Sequence, residues 1–209
     1  IETTAGVVTV ELRPDKAPET VRNFLRLAAA GVYDGTAFHR VVRGFVIQTG
    51  AVGYRREPLG EAQQRLVRTL PPEFNDMPHV KGTLSMARGD DPASASTSFF
   101  ICTAPAPSLD RVYTAFGRVV SGLDVVDAIT RLEIDTFGRY GPPSRPYPKD
   151  ARITHAVVHR TAFRGAELGD QIGPAIHALG RHFRVELEGA PGDLNARLEN
   201  SQSDWRAAQ

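Results

Sequence analysis

Apolar and polar side chains alternate from Gly6 to Leu12, with Val8, Val10 and Leu12 set against Val7, Thr9 and Glu11. Successive side chains of a strand point to opposite faces, so this pattern predicts a half-buried strand. Arg13-Pro14-Asp15 breaks it. Pro18, suited to a first helical turn, opens a helix whose apolar stripe of Val21, Phe24, Leu25 and Ala28 ends at Gly31. From Ala37 to Gln48 the chain reads as two short strands meeting at Arg43-Gly44. Between Ala51 and Pro72 periodicity gives way to charge, apart from Glu61 to Val67, which has room for two helical turns. Pro71, Pro72 and Asn75-Asp76 mark a long surface connection. Thr83 to Met86, Phe99 to Thr103 and Thr114 to Val119 predict further strands. Leu123 to Leu132 carries Val125, Val126, Ile129 and Leu132 at helical spacing, and Ala151 to Arg160 returns to alternation. Many short strands with only two helices predict a mainly β protein, a closed antiparallel barrel that leaves no vulnerable sheet edge.

One segment departs from its own pattern. Phe38 to Gly50, FHRVVRGFVIQTG, sets an arginine and a glutamine inside a run of Val, Ile and Phe that should otherwise be core strand. Arginine is almost never buried unpaired, so Arg40 in β-branched surroundings needs a reason. Residues two apart share a strand face, which groups Phe38 with Arg40 and Val46 with Gln48. A guanidinium beside aromatic surface, with an amide nearby, suits a neutral polar ligand such as a peptide. The same segment also reads as an edge strand whose Arg40 and Gln48 are simply solvated.

Composition narrows the classes. The chain has 209 residues, 41% hydrophobic and 23% charged, as expected for one globular domain with a C-terminal remainder. A formal net charge of +1 argues against electrostatic nucleic-acid binding. A single cysteine, Cys102, excludes an internal disulfide and any multi-cysteine metal site, and its strand surroundings read as core. No run approaches the roughly 18 apolar residues of a membrane span, so a soluble protein is expected. A start at Ile1 reads as a processed or trimmed form, which leaves a periplasmic, exported or cytoplasmic location open.

Three more segments follow FHRVVRGFVIQTG in order: GTLSMAR from Gly82, SFFICT from Ser98, and LDRVYTAFGRVVSGLDVVDAI from Leu109. Together they resemble the cyclophilin family of peptidyl-prolyl cis-trans isomerases over roughly residues 1–160. The resemblance implies an eight-stranded antiparallel barrel capped by two α-helices, acting on proline-containing segments of proteins without metal or other cofactor. Residues 161–209 would be a C-terminal extension.

The chemistry so implied is rotation about a bond rather than cleavage. A peptide bond resists rotation by about 18–20 kcal/mol because the nitrogen lone pair is delocalised, and X-Pro bonds isomerise unaided in tens to hundreds of seconds. A pocket that binds the twisted amide better than either planar form speeds the step. The resemblance assigns Arg40 to the catalytic arginine, donating to the prolyl nitrogen as twisting localises its lone pair. Phe45, Val46, Phe100 and Leu109 fall where the family lines its proline pocket, and Gln48 where a glutamine contacts substrate backbone. Ala87 and Arg88 match the segment lying along the residues before proline, and Tyr113 stands where many members have histidine. Departures are Ser98 for the usual glutamine, Ser108 for a tryptophan and Arg88 for a common asparagine. They bear on substrate preference and inhibitor binding rather than on the reaction.

Other constellations are weaker. His155 and His159 are four apart, but in a predicted strand and without a further ligand at metal spacing. Ser94, Ser96 and Ser98 with His39 lack the elbow motif of a hydrolase. His79, between Pro78 and Val80, reads as a loop residue. In the remainder, Arg181 to Leu187 alternates like a strand, and Asp193 could cap a helix bearing Leu194, Leu198 and Trp205. Such a helix is marginal alone, so its stripe is expected to dock on the barrel or on a partner protein. The expected function is therefore a prolyl isomerase assisting folding. The alternative is a cyclophilin-like adaptor subunit in which turnover is incidental.

Overall fold

The computed structural model describes the backbone of residues 1–135, 145–146 and 153–155, and the side chains of residues 1–133. The extension from 161 onward, with its predicted strand and helix, and His159 lie outside the described residues.

Strands β1 (Glu2–Thr3), β2 (Gly6–Val7) and β3 (Thr9–Leu12) open the chain. The single strand predicted from Gly6 to Leu12 is thus two. β2 pairs with β1, while β3 pairs with a later strand, and the chain changes partner at Val8. Val8 drops into the core and Val7 stays exposed, so the break sorts the two valines.

Helix α1 (Pro18–Ala29) forms where the stripe predicts it, with Pro18 in the first turn and Val21, Phe24, Leu25 and Ala28 buried. Ala17 at its start offers no side-chain cap. The free N–H groups of the first turn are met instead by Glu73, whose carboxylate accepts from the Glu19 N–H at 3.0 Å, the Thr20 N–H at 2.8 Å and the Thr20 hydroxyl at 2.6 Å. A negative group at a helix N-terminus also complements the helix dipole. The long connection is thereby pinned to the helix from 54 residues away.

Next come β4 (Arg40–Val42) and β5 (Val46–Thr49), joined by a turn with Gly44 at φ +72°. Ala37 to His39 precede the strand rather than belonging to it. The two turns expected over Glu61 to Val67 reduce to one, α2 (Glu61–Gln64), which has no buried residue to anchor more. β6 (Thr83–Met86), β7 (Phe99–Cys102), β8 (Ala115–Ser121) and α3 (Leu123–Arg131) follow, then β9 (Ile134–Asp135), β10 (Arg145–Pro146) and β11 (Ile153–His155). α3 is preceded by Gly122, whose φ of +90° and close approach to the Val7 carbonyl exclude a side chain.

Among the described residues the strands form a six-stranded antiparallel sheet in the order β3-β8-β6-β7-β5-β4, a three-stranded sheet β11-β1-β2 and a two-stranded ribbon β10-β9. The mainly β architecture with few helices agrees with the pattern of the chain. The main core fills one side of the large sheet, where Phe24 of α1 meets Tyr33, Phe99 and Phe116 at ring separations of 5.1, 5.2 and 5.3 Å. A second, smaller apolar cluster, Val46, Phe100, Cys102 and Ala106, lies apart from it and is bordered by Phe45, Ala87, Leu109 and Tyr113.

Candidate active site

Val46 and Phe100 of the second cluster form the floor of a cavity of about 280 Å³. Its walls are Arg40, Phe45, Val46, Gln48, Ala87, Arg88, Phe100, Leu109 and Tyr113, nine of the ten residues singled out in the sequence. They come from β4, the turn after it, β5, β7, the two residues after β6 and the stretch from Pro107 to Tyr113, so only the assembled sheet brings them together.

Antiparallel register does most of the placing. Arg40 of β4 stands opposite Gln48 of β5, Gln48 opposite Phe100 of β7, and Phe100 opposite Ser85 of β6. The Arg40 guanidinium lies 5.9 Å from the Phe45 ring centre. That ring, and not Phe38, is its aromatic neighbour. Phe38 precedes the strand, so the two-residue alternation does not reach it, and it is buried in the main core. At the other rim Arg88 lies 4.6 Å from the Tyr113 ring centre. Phe100 forms the floor, edge-on to Tyr113 at 5.9 Å.

Ser98 stands one step back from the wall. Its hydroxyl accepts from the Gln48 amide at 3.2 Å and donates to the Thr49 carbonyl at 3.1 Å. It holds Gln48 and is not itself among the residues lining the cavity. Beside it, Gly50 at φ +79° leaves no room for a Cβ, which would sit 2.7 Å from the Thr97 carbonyl.

The other candidates take no part. The hydroxyls of Ser94 and Ser98 donate to backbone carbonyls, and His39 stacks on Tyr54 at 4.6 Å. The described residues hold no group of three or more His, Cys, Asp or Glu placed to bind a metal, and no helix among them is long and apolar enough to cross a membrane.

The model of the family described as Cyclophilin type peptidyl-prolyl cis-trans isomerase/CLD matches residues 1–158. The chain belongs to this family. Among curated relatives, a probable peptidyl-prolyl cis-trans isomerase of Brucella suis is 43% identical over 132 residues, covering 60% of this chain and 67% of that one. Peptidyl-prolyl cis-trans isomerase A of Dickeya dadantii is 36% identical, covering 70% and 78%. Among solved structures, the cyclophilin AquaCyp293 from Hirschia baltica superposes with a TM-score of 0.61 at 28% identity, over 75% of this chain and 71% of that one. A Cryptosporidium parvum cyclophilin-type isomerase, crystallised in the presence of the dipeptide Ala-Pro, gives 0.61 at 27% identity over 74% and 94%. The enzyme is accordingly a peptidyl-prolyl cis-trans isomerase, a reaction that needs no cofactor.

Behind the cyclophilin pocket lies a residue that sequence reasoning passed over. His79 does sit in a loop, but it is 1% exposed. Its ring stacks on Phe100 at 6.1 Å, its Nδ1 is 3.0 Å from an Asp110 carboxylate oxygen, and its Nε2 is 3.0 Å from the Ser85 hydroxyl. The same Asp110 oxygen accepts the His79 backbone N–H at 2.7 Å. Burial lowers the imidazole pKa, with Asp110 opposing, so the ring is neutral. The His79 backbone N–H and then its ring hold the Asp110 carboxyl below the usual range. A neutral ring donating from Nδ1 to a carboxylate and accepting from Ser85 fits both. His79 thus joins β6, Phe100 and the turn that carries Leu109. A lone histidine after a proline gives no periodic signal by which to find this. Cys102, also behind the floor, has its thiol pushed up to about 12 by burial and then by Asp110, which leaves it a packed, un-ionised side chain.

Proposed function

We propose that Arg40 is the catalytic residue of this isomerase and that the cavity seats the proline of an exposed X-Pro segment of a folding or mature protein. Val46, Phe100 and Leu109 take the proline ring, Phe45 and Tyr113 close the sides, Gln48 binds substrate backbone with Ser98 holding it, and Ala87 and Arg88 lie along the residues before proline. The observation that carries this is a planar, permanently charged donor at the edge of an apolar floor. Twisting the amide makes the prolyl nitrogen a hydrogen-bond acceptor, and a fixed donor stabilises that state alone. Lowering the barrier by about 7 kcal/mol accelerates the reaction about 10⁵-fold.

The test is isomerisation of an Ala-Pro tetrapeptide by the wild type and by Arg40→Ala, with folding checked by circular dichroism. Near-complete loss in a folded variant is expected, and equal rates would refute the assignment. We further propose that the sheets close into an eight-stranded barrel within a domain of residues 1–160. Residues 161–209 would form an accessory extension that docks on this domain or on a protein partner. Its deletion should leave a folded, active enzyme. The adaptor reading rests on Ser98 and Ser108 and on the extension, and turnover of a peptide without any partner would count against it.

A further inference from the structure

We propose that Arg88, held over Tyr113, makes the cyclophilin groove selective for segments that carry a carboxylate beside the proline. The inference builds on the placement of Arg88 along the residues before proline.

Two observations combine. Among the described residues the cavity wall contains two guanidinium groups, Arg40 and Arg88, and no carboxylate. Among the described residues neither arginine is in an ion pair. Of the acids nearest in the chain, Asp91 accepts the Ala93 N–H at 2.8 Å, Asp110 is engaged by His79, and Asp90 meets Arg88 through its backbone carbonyl rather than through its carboxylate. Arg111 adds a further exposed positive charge beside Asp110.

Arg88 is also fixed in place. Its Nη1 donates to the Gly89 carbonyl at 2.8 Å and the Asp90 carbonyl at 3.1 Å, its Nη2 donates to the Val112 carbonyl at 3.3 Å, and its Cζ lies over the Tyr113 ring. Carbonyls and a ring face satisfy a guanidinium without cancelling its charge. An ordinary surface arginine would lose side-chain freedom on meeting an anion, and this one has already lost it. The groove therefore presents at its wall an immobilised positive charge that no carboxylate among the described residues pairs directly. A glutamate or aspartate beside the proline is drawn to it, and a lysine is repelled.

The charge acts on the planar and twisted amide alike, so it should lower KM and leave kcat nearly unchanged. Direct exchange NMR, which needs no coupling protease, would measure the wild type on peptides of the form Ala-X-Pro-Phe with X as Glu, Ala or Lys. The expected kcat/KM is about tenfold higher for Glu than for Lys, the scale of unit charges meeting at a partly wet site. The ratio should shrink toward one near 1 M salt, where screening acts within about 3 Å. In Arg88→Gln the Glu-to-Lys ratio should fall to about twofold, with the Ala peptide as the internal reference. Equal rates for Glu and Lys in the wild type, a ratio insensitive to salt, or a ratio unchanged in Arg88→Gln would each overturn the proposal. The first two need no variant to fold. No turnover of the Ala peptide by the wild type would instead undo the isomerase reading itself.

Discussion

The two faces of β7 share one backbone and serve opposite ends. Phe99 and Ile101 point into the main core, where Phe99 is ringed by Phe24, Tyr33 and Phe116 at 5.2, 5.4 and 6.4 Å. Phe100 and Cys102 point the other way, into the small cluster beneath the cavity. The first face packs into the main hydrophobic core. The second is bordered by Arg40, Gln48 and Arg88 and backed by His79 and Ser85. A four-residue strand buried on both sides, FFIC, thus separates a face that stabilises from a face that binds. Apolar burial alone does not mark a core position, because a binding floor uses the same residue types with polar groups at its margin.

The most severe break in this division is Phe99→Ala, which should cost about 3–5 kcal/mol as a large cavity in close-packed surroundings. Phe100→Ala should cost less stability, since its cavity opens toward solvent, and should cost more activity per folded molecule. Urea melts with peptide turnover on both variants would decide this. Identical profiles would show that the two faces are not functionally distinct.

Arg40→Ala follows, with kcat/KM expected to drop about 10²–10³-fold, the usual cost of removing one pre-organised donor, and Tm to hold. Arg40→Lys should not restore the rate, because an ammonium lacks the planar fork. Full activity in the lysine variant would mean that charge alone suffices.

A smaller effect sharpens the role of His79. In the folded protein its pKa is lowered, so the unfolded chain takes up this proton first as pH falls past the ordinary value of 6.5. Stability from this residue is complete above that pH and declines below it. Asp110, also lowered, loses its contribution only at more acidic pH, as its folded carboxylate protonates. Urea midpoints should therefore fall from about pH 7.5 to about pH 5, and less so in His79→Gln. An equal decline in both proteins would remove His79 from the account.

The mildest expectation concerns Cys102. With its thiol buried and pushed up to about 12, it should resist alkylation at neutral pH and react on unfolding. Rapid labelling of native protein would show the floor open from below.

Much of this was readable from local pattern. Periodicity, together with Pro18, Gly31 and Gly44, marked α1, α3 and the strands of the large sheet, because burial on one face repeats every two or 3.6 residues. The four motifs pointed to the family and to the residues of the cavity wall. Pairing across the sheet was another matter. Whether Phe38 or Phe45 flanks Arg40 depends on where β4 begins, and whether Ser98 faces the cavity or Gln48, and where the run from Gly6 changes partner, depend on pairing between strands distant in the chain. Two long-range contacts left no trace in any local pattern, Glu73 capping α1 and His79 wedged among Ser85, Phe100 and Asp110. Each is a polar group with a partner far away in the chain, Glu73 at α1 and His79 at Asp110, and desolvation makes such partners obligatory only once the fold has closed around them.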